Sequence, residues 1–247
     1  MQHEAMILHG KSLFDYNNGD RTAEIILRRD DGFEDVLPVS IFFRSESEFL
    51  PGESEAINQS KGRILDIGAG SGVHSLVLQS RGLSVTAIDI DSNVVNIMIE
   101  KGIKDARCVD VMQFQDGPYD TLLMLGHGIG MTGNIQGLNR FLNHASGLIG
   151  ENGQILMNSV DVRKTQDPVH LKYHEANKGK GHYFGEINLQ FEYKGEQGPF
   201  FEWLHIDPQT LQRQAAINKW DTEILYQYKD GEYLARLTCN KSSGDVS

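Results

Sequence analysis

A glycine-rich run over residues 64–72, with the sequence ILDIGAGSG, is the segment best suited to hold a ligand. Glycine stands at every second position near its end, and a backbone without Cβ atoms can approach a bound molecule closely. A dinucleotide site expects G-x-G-x-x-G. Counting from Gly68 or from Gly70 places Val73 or Ser75 where the third glycine belongs. The run therefore departs from the dinucleotide pattern in both registers.

Carboxylates near three successive strand ends favour a different ligand. Asp66, just before the glycines, would repel a pyrophosphate and attract the ammonium group of S-adenosylmethionine, which carries no phosphate. Asp89 follows the second strand, where a carboxylate can accept hydrogen bonds from both ribose hydroxyls, and Ile90 can pack on the adenine face. After the third strand, Asp110 can accept from the adenine amino group beside the Val111 backbone. The order of these residues indicates S-adenosylmethionine as the cofactor.

Candidates for the chemistry itself are fewer. His127 follows the fourth predicted strand, where it could act as a base toward the substrate or, equally well, be hydrogen-bonded within a glycine-rich loop. Arg44 could pair with a carboxylate of substrate or cofactor, although a surface arginine is the more ordinary explanation. His170 and His174 have a spacing seen among metal ligands, but no cysteine or clear carboxylate completes the set. We therefore expect no metal site.

Strand and helix patterns alternate regularly around these residues. Short apolar runs predict buried strands, and apolar residues at helical spacing predict the helices between them. Such alternation is typical of a parallel sheet covered on both faces. The predicted strands span 64–67, 84–88, 106–109, 121–125 and 154–160, and the predicted helices span 73–81, 92–101 and 134–149.

Antiparallel hairpins are predicted on both sides of this core. They comprise an N-terminal hairpin (22–29 and 36–43), an inserted hairpin (186–193 and 199–205) and a closing hairpin (222–228 and 232–239), with helices at 52–59 and 207–219. A polar tail, 241–247, is expected to be frayed. The predicted fold is α/β: a doubly wound, Rossmann-like, mostly parallel seven-stranded sheet with an antiparallel terminal hairpin, plus the N-terminal and inserted β-hairpins.

This pattern divides the chain into four segments. They are an accessory N-terminal hairpin and helix (1–60), an S-adenosylmethionine-binding core (61–160), an inserted hairpin or lid (161–206) and a C-terminal helix with the closing hairpin of the core sheet (207–240). The insertion follows the fifth core strand, whose carboxyl end borders the ligand cleft. We therefore expect residues 161–206 and the N-terminal hairpin to cover the substrate together.

Five stretches of this sequence resemble the class I S-adenosylmethionine-dependent methyltransferases, and the loop GHGIGM is similar to that of uncharacterised small bacterial methyltransferases. The stretches are ILDIGAGSG (64–72), VTAIDID (85–91), CVDVMQF (108–114), YDTLLMLGHGIG (119–130) and LIGENGQILMNS (148–159). The resemblance implies cofactor contacts from Asp66, Gly68, Ala69, Gly70 and Gly126 to the methionine part, from Asp89 and Ile90 to ribose and adenine, and from Asp110 and Val111 to adenine.

Charge and motif content restrict the acceptor of the methyl group. Lys and Arg number 23 against 34 Asp and Glu, a formal net charge of −11, which disfavours binding to nucleic acid. The fourth strand is followed by Leu125-Gly126-His127, not by the D/N-P-P-Y/F pattern of amino-group methyltransferases of DNA and glutamine, and no Pro-Cys nucleophile is present. We expect a methyltransferase that acts on a small molecule. A non-catalytic S-adenosylmethionine-binding or regulatory protein is the alternative, and an NAD-dependent oxidoreductase is less favoured.

Cysteine content and hydropathy bear on the compartment. Cys108 and Cys239 form no disulfide framework, which suits a reducing environment. Residues 1–11 lack the apolar run of a secretory signal, and no segment reaches the length of a membrane span. We therefore expect a cytoplasmic protein without a membrane partner.

Overall fold

A computed structural model of the chain describes residues 2–240. The frayed tail expected at 241–247 lies outside the described residues. In chain order the helices are α1 (Gln2–Asn17), α2 (Pro51–Gln59), α3 (Val73–Ser80), α4 (Ser92–Glu100), α5 (Ile135–Leu148), α6 (Pro168–Gly179) and α7 (Pro208–Ile217). The strands are β1 (Glu24–Arg29), β2 (Glu34–Pro38), β3 (Arg63–Ile67), β4 (Ser84–Asp89), β5 (Ala106–Cys108), β6 (Tyr119–Met124), β7 (Ile149–Val160), β8 (Glu186–Tyr193), β9 (Glu196–Gln197), β10 (Phe201–Leu204), β11 (Trp220–Gln227) and β12 (Glu232–Cys239).

Seven strands form the central sheet, in the order β11-β12-β7-β6-β3-β4-β5. The five strands from β7 to β5 are parallel, and the β11–β12 hairpin adds an antiparallel edge. The chain runs outward from β3 through β4 to β5, then returns to the other side of β3 as β6. Ligands of such folds bind where the strand order reverses, at the carboxyl ends of β3 and β6. The predicted fold class is confirmed.

Both faces of the central sheet are buried, which explains its continuous apolar strands. Successive residues of a strand point to opposite faces. Leu122 belongs to the apolar cluster that contains α5 and α7, while its neighbour Leu123 belongs to the cluster that contains α2 and α3. The strand positions are therefore fixed from both sides, and so are the loops at their carboxyl ends.

A second, antiparallel sheet lies beside the first and has the order β10-β8-β1-β2, with β9 paired to β8. Its register joins strands far apart in sequence, with Leu27 of β1 opposite Phe191 of β8. The N-terminal hairpin and the inserted strands thus form one sheet. Helix α1 packs on it through a cluster that includes Leu8, Leu13 and Val94 of α4. This cluster ties the second sheet to the helix that follows β4.

Several elements differ from the sequence-based prediction. Helices α1 and α6 were not predicted, because their polar residues weaken the apolar pattern. Helix α1 packs in the apolar cluster of the second sheet, and α6 is hydrogen-bonded to β8 through Tyr173 and Asn177. The second hairpin strand ends at Pro38, which has no N–H to donate, and residues 39–43 form a 3-10 helical turn. Strand β7 begins at Ile149, five residues before the predicted start. Among the helices of residues 2–240, none has the length and apolar character needed to cross a bilayer.

Candidate functional site

The glycine run forms the loop between β3 and α3. Gly68, Gly70 and Gly72 have φ angles of 67°, 56° and 78°, in the left-handed region that favours glycine. The loop is held to the neighbouring strand because the Gly68 and Ala69 N–H groups both donate to the Ile88 carbonyl oxygen, at 2.9 and 3.0 Å. A Cβ built on Gly70 would meet no atom within 4 Å, so this backbone faces open space. Gly68, Ala69 and Gly70 are all at least partly exposed.

Asp89, at the end of β4, lies against this loop. Its carboxylate accepts hydrogen bonds from the backbone N–H groups of Gly70 and Asp91, each at 3.1 Å. Burial raises the pKa of Asp89 to about 6, although these backbone hydrogen bonds act in the opposite direction. Asp89 and Ile90 both keep part of their surface accessible. A carboxylate and an apolar side chain therefore border the glycine loop on the β4 side.

Asp110 and Val111 continue the same edge beyond β5. The Asp110 carboxylate accepts a hydrogen bond from the Met112 N–H at 2.9 Å and begins a short 3-10 helical turn over Val111–Gln113. Both residues are partly exposed. The structure therefore brings the glycine loop, Asp89, Ile90, Asp110 and Val111 to one edge, at the carboxyl ends of three adjacent parallel strands.

Asp66 lies behind the glycine loop, not on its open side. Its side chain is 2% exposed and accepts a hydrogen bond from the Ser75 hydroxyl of α3 at 2.6 Å. Burial raises the pKa of Asp66, an effect opposed by His74 and by the Ser75 hydrogen bond. The carboxylate predicted to meet an ammonium group therefore contacts the first turn of α3 in this structure.

Arg44 pairs with a carboxylate of the protein. Glu53, which is 3% exposed, accepts hydrogen bonds from Arg44 Nη2 at 2.9 Å and from the Leu50 N–H at 2.7 Å, and pairs with His74 Nε2 at 3.1 Å. Burial works to raise the pKa of Glu53, but the hydrogen bonds from His74 and Leu50 outweigh it and leave the pKa lowered. This network connects α2 to the start of α3.

The loop after β6 carries Gly126 and His127. Gly126 has φ 64°, and a Cβ built on it would meet no atom within 4 Å, so its backbone faces open space, as that of Gly70 does. His127 has φ 59°, a conformation rare outside glycine, and its N–H donates to Asn158 Oδ1 at 2.9 Å. Its ring Nε2 lies 2.7 Å from Glu232 Oε1. The His205 ring meets the His127 ring edge-on, with centroids 5.7 Å apart.

Glu232, Asn158 and His205 were not predicted as site residues. Glu232 is the first residue of β12, and because β12 is antiparallel to β7 its start lies opposite Val160, at the carboxyl end of the parallel strands. The signal was present in the sequence, since an antiparallel strand next to the fifth core strand must begin at the ligand edge.

The rest of the His127 loop contacts both the glycine loop of the central sheet and the second sheet. A Cβ on Gly68 would lie 2.7 Å from Met131 Cε, so this methionine closes over the glycine loop. A Cβ on Gly130 would lie 2.0 Å from Trp203 Cε2, so the indole of β10 packs directly on the loop backbone. The Ser71 hydroxyl donates to the Phe42 carbonyl oxygen, a second link between the glycine loop and the N-terminal region.

The histidines with ligand-like spacing do not form a metal site. His170 Nδ1 pairs with Arg29 Nη1 at 2.9 Å, and His182 Nδ1 pairs with Glu186 at 3.2 Å. His174 is buried beside the Phe184 ring. Within residues 2–240, no group of three or more histidine, cysteine, aspartate or glutamate side chains is arranged to hold a metal ion.

Comparisons with known proteins agree with this geometry. Residues 43–194 match the family described as a methyltransferase domain. An S-adenosylmethionine-dependent methyltransferase from Bacteroides fragilis, solved in complex with S-adenosyl-L-homocysteine, is 33% identical with a TM-score of 0.83, over 97% of this chain and 96% of that chain. Among curated protein sequences, there is no significant match to this chain.

Two more distant structures share the fold. The CcbJ methyltransferase from Streptomyces caelestis is 9% identical with a TM-score of 0.58, over 78% of this chain and 94% of that chain. The sugar N-methyltransferase KedS8 from Streptoalloteichus sp. is 12% identical with a TM-score of 0.53, over 79% of this chain and 91% of that chain. At these identities the likeness concerns the architecture alone.

Proposed function

The chain belongs to the S-adenosylmethionine-dependent methyltransferases, and on that premise we propose that it methylates a small molecule. The observation that carries the proposal is the shared edge of the central sheet, where open glycine backbone and two carboxylates follow three adjacent strands. Binding of a single nucleoside cofactor across this edge would leave the acceptor on the side of the His127 loop and the second sheet.

The residues of this edge fit S-adenosylmethionine in shape and charge. We assign the methionine part to the backbone of Gly68, Ala69, Gly70 and Gly126, the ribose hydroxyls to Asp89, and the adenine to Ile90, Asp110 and Val111. Asp66, buried behind the loop, contributes its negative charge and its hydrogen bond to Ser75 rather than a direct contact. The fit is supported by the open space at Gly70 and Gly126 and by the partly exposed Asp89 carboxylate.

When bound, S-adenosylmethionine supplies an electrophilic methyl carbon, so the protein has to orient a nucleophile and receive its proton. His127 is the proposed proton acceptor. It stands in the loop after β6, it keeps a third of its side-chain surface exposed, and its strained backbone is fixed by Asn158. Strain of this kind is characteristic of functional loops.

A small-molecule acceptor is supported by charge and enclosure. The net charge of −11 opposes contact with a phosphate backbone, so we propose no nucleic-acid substrate. The N-terminal hairpin and the inserted strands form one sheet, and its Trp203 packs on the active-site loop. We propose that this sheet covers the acceptor. A cytoplasmic setting is proposed from the two unpaired cysteines, Cys108 and Cys239.

Calorimetry with S-adenosylhomocysteine and with NAD tests the proposal. We expect S-adenosylhomocysteine to bind and NAD to give no heat of binding; the reverse result would refute the cofactor assignment and favour an oxidoreductase. Asp89→Ala should weaken S-adenosylhomocysteine binding about 100-fold, because hydrogen bonds to a charged group contribute roughly 1.5–3 kcal/mol each.

Asp221→Ala is the matched control, since Asp221 is an exposed aspartate on β11 at the opposite edge of the central sheet. The Asp221→Ala variant should bind S-adenosylhomocysteine with the affinity of the wild type. Unchanged affinity in Asp89→Ala would remove the ribose role of that residue. Transfer of a labelled methyl group into a metabolite extract then separates an enzyme from a protein that only binds the cofactor.

A further inference from the structure

A carboxylate without a cationic side-chain partner stands beside the proposed proton acceptor. Among the ion pairs of residues 2–240, the Glu232 carboxylate is paired with His127 alone, and no lysine or arginine nitrogen lies within 4 Å of it. The two side chains keep 23% and 33% of their surface exposed. The pair is therefore accessible to solvent and carries a net negative charge when the imidazole is neutral.

Three buried carboxylates, in contrast, are paired with arginines of the protein itself. Asp161, at the end of β7, and Asp207, before α7, share Arg163, at 2.7 and 3.2 Å. Glu53 is paired with Arg44. Glu232 differs from these three because no guanidinium accompanies it, which leaves its charge available to a ligand.

The neighbouring imidazole adds no positive charge. Burial holds the pKa of His205 down to about 3, with smaller contributions from His127 and His174, so this ring is neutral at physiological pH. The His127 and His205 rings meet at 81° with their centroids 5.7 Å apart, so the Glu232 carboxylate and two imidazoles lie together, and we call this group the polar wall. An anionic acceptor would be repelled by this wall, whereas an ammonium group would be attracted.

We propose that the methyl acceptor is an amine, attracted as its ammonium ion by the negative charge of the Glu232–His127 pair and deprotonated by Nδ1 of His127. The assignment rests on the proposed methyltransferase function. It names the chemical class of acceptor that the same site would take.

The hydrogen bond to Glu232 determines which ring nitrogen takes the proton. Nε2 lies 2.7 Å from the Glu232 carboxylate, so in the neutral ring Nε2 carries the hydrogen and Nδ1 has the free lone pair. Within residues 2–240, no hydrogen bond joins Nδ1 to another group. The ammonium ion gives one proton to Nδ1, and the charged imidazole that results is stabilised by the Glu232 carboxylate.

The deprotonated amine then has a lone pair for the transfer. Its nitrogen forms the new bond to the methyl carbon while the sulfur–carbon bond breaks and its electron pair remains on sulfur. The products are a methylated ammonium ion, the neutral thioether and protonated His127, which returns its proton to water. The total charge is conserved. In the reactants the positive charges are on the sulfonium sulfur and the ammonium nitrogen, and in the products they are on the methylated ammonium nitrogen and His127.

A fractionated extract tests the acceptor class. A small-molecule extract is separated at neutral pH into cationic, anionic and unretained fractions, and each is incubated with the protein and methyl-labelled S-adenosylmethionine. Label in the cationic fraction is the expected result. Label confined to the anionic or unretained fraction overturns the amine assignment. Label in no fraction, although S-adenosylhomocysteine binds, overturns the proposed catalytic function and the amine assignment with it.

Glu232→Gln, which keeps the shape and removes the charge, should raise the KM for the cationic acceptor at least tenfold while S-adenosylhomocysteine affinity stays within twofold. Glu223→Gln is the matched control, because Glu223 lies on the adjacent strand β11 and is paired with Arg236 at 3.0 Å. It should leave both values unchanged. An unchanged KM in Glu232→Gln would contradict the role given to this carboxylate.

A direct binding measurement avoids dependence on turnover. Protein with nitrogen-15-labelled histidine is titrated with n-butylamine hydrochloride or sodium butyrate, and the His127 signals are assigned by their loss in His127→Gln. The amine should shift these signals in the wild type and in Glu223→Gln but not in Glu232→Gln, and butyrate should leave them in place. Equal shifts with butyrate, or an amine shift that persists in Glu232→Gln, would overturn the proposal.

Discussion

The central sheet and the second sheet contribute to the cleft by different physical means. The ligand edge of the central sheet is made of backbone: glycines at positive φ and N–H groups that fix the loop to the next strand. The second sheet contributes large side chains. Trp203 packs on the loop after β6, and the cluster around Phe191 packs α1 against the inserted strands. The first region should therefore respond to changes of backbone conformation, and the second to changes of volume.

The two regions also differ in charge and in sequence separation. Residues 61–160 have 7 basic and 9 acidic side chains, whereas residues 1–60 have 5 and 12. In the central sheet, the pairs β3–β4, β4–β5, β6–β7 and β11–β12 join strands that are consecutive in the chain, while in the second sheet β1 pairs with β8 more than 150 residues later. The segment that carries the ligand edge, residues 61–160, is thus close to neutral. The second sheet is assembled from distant segments, and the N-terminal one, residues 1–60, is acidic.

The largest expected effect on stability is that of a substitution at Gly130, where the loop of the central sheet contacts the second sheet. In Gly130→Ala the new methyl group would lie 2.0 Å from Trp203 Cε2, so the indole and the loop must separate. Overpacking of this kind typically costs about 1–3 kcal/mol, and we expect a loss of that size in the free energy of unfolding. Urea denaturation followed by tryptophan fluorescence measures it.

Gly147→Ala controls for the substitution itself. Gly147 is an exposed residue of α5 with no atom within 4 Å of a built Cβ, so alanine should stabilise the helix by roughly 0.5–1 kcal/mol. If Gly130→Ala were as stable as the wild type, the second sheet would not be held to the active-site loop by close packing.

Substitutions at two glycines of the loop distinguish an effect on ligand binding from an effect on packing. Gly70→Ala and Gly72→Ala both impose a positive φ on alanine, which costs roughly 1–2 kcal/mol of stability. At Gly70 the added methyl group enters open space, whereas at Gly72 it meets Ile103 at 2.3 Å and Met98 at 3.1 Å. We expect Gly70→Ala to lose more S-adenosylhomocysteine affinity and Gly72→Ala to lose more stability.

Calorimetry and thermal denaturation of the two variants, measured side by side, check this ranking. The reverse order, with the larger loss of affinity in Gly72→Ala, would mean that the open side of Gly70 does not face the cofactor. Equal losses in both assays would mean that backbone strain alone governs the loop.

The positions of the residues at the carboxyl edge of the central sheet follow from the sequence because these residues belong to short, contiguous strand–loop–helix units. Asp89 follows β4 directly, and its contact with Gly70 requires only that two adjacent strands be parallel. The same local argument identifies Asp110. The sequence pattern does not reveal that the Asp66 carboxylate accepts a hydrogen bond from the Ser75 hydroxyl in the first turn of α3.

The rest of the site depends on pairings that no local pattern contains. Glu232 reaches His127 only because the closing hairpin returns antiparallel to β7, and His205 reaches it only after the whole insertion has folded. Helix α1 has a weak apolar pattern and is stabilised by the second sheet, so its existence depends on a surface that forms from residues 170 positions away. The local periodicity of apolar residues therefore cannot predict the pairings between distant segments.

The smallest expected effect is a pH dependence of cofactor affinity that arises at Asp89. The folded-state pKa of about 6 lies above the ordinary value of 3.8, so the folded chain binds this proton more tightly than the unfolded chain. The contribution of Asp89 to stability is accordingly lost as the pH rises from 3.8 through about 6. In the role proposed for Asp89, the ribose hydroxyls donate to the ionised carboxylate, so cofactor binding should favour the form that has lost its proton.

Affinity for S-adenosylhomocysteine should therefore fall about twofold between pH 7.5 and pH 6, where half of the Asp89 carboxyls are protonated. At pH 6 the binding should also release a fraction of a proton, which calorimetry detects by comparing buffers of different ionisation enthalpy. Asp89→Asn cannot titrate and should lose both effects. Proton uptake on binding in the wild type would contradict the role of the ionised carboxylate, because it would mean that the ligand prefers protonated Asp89.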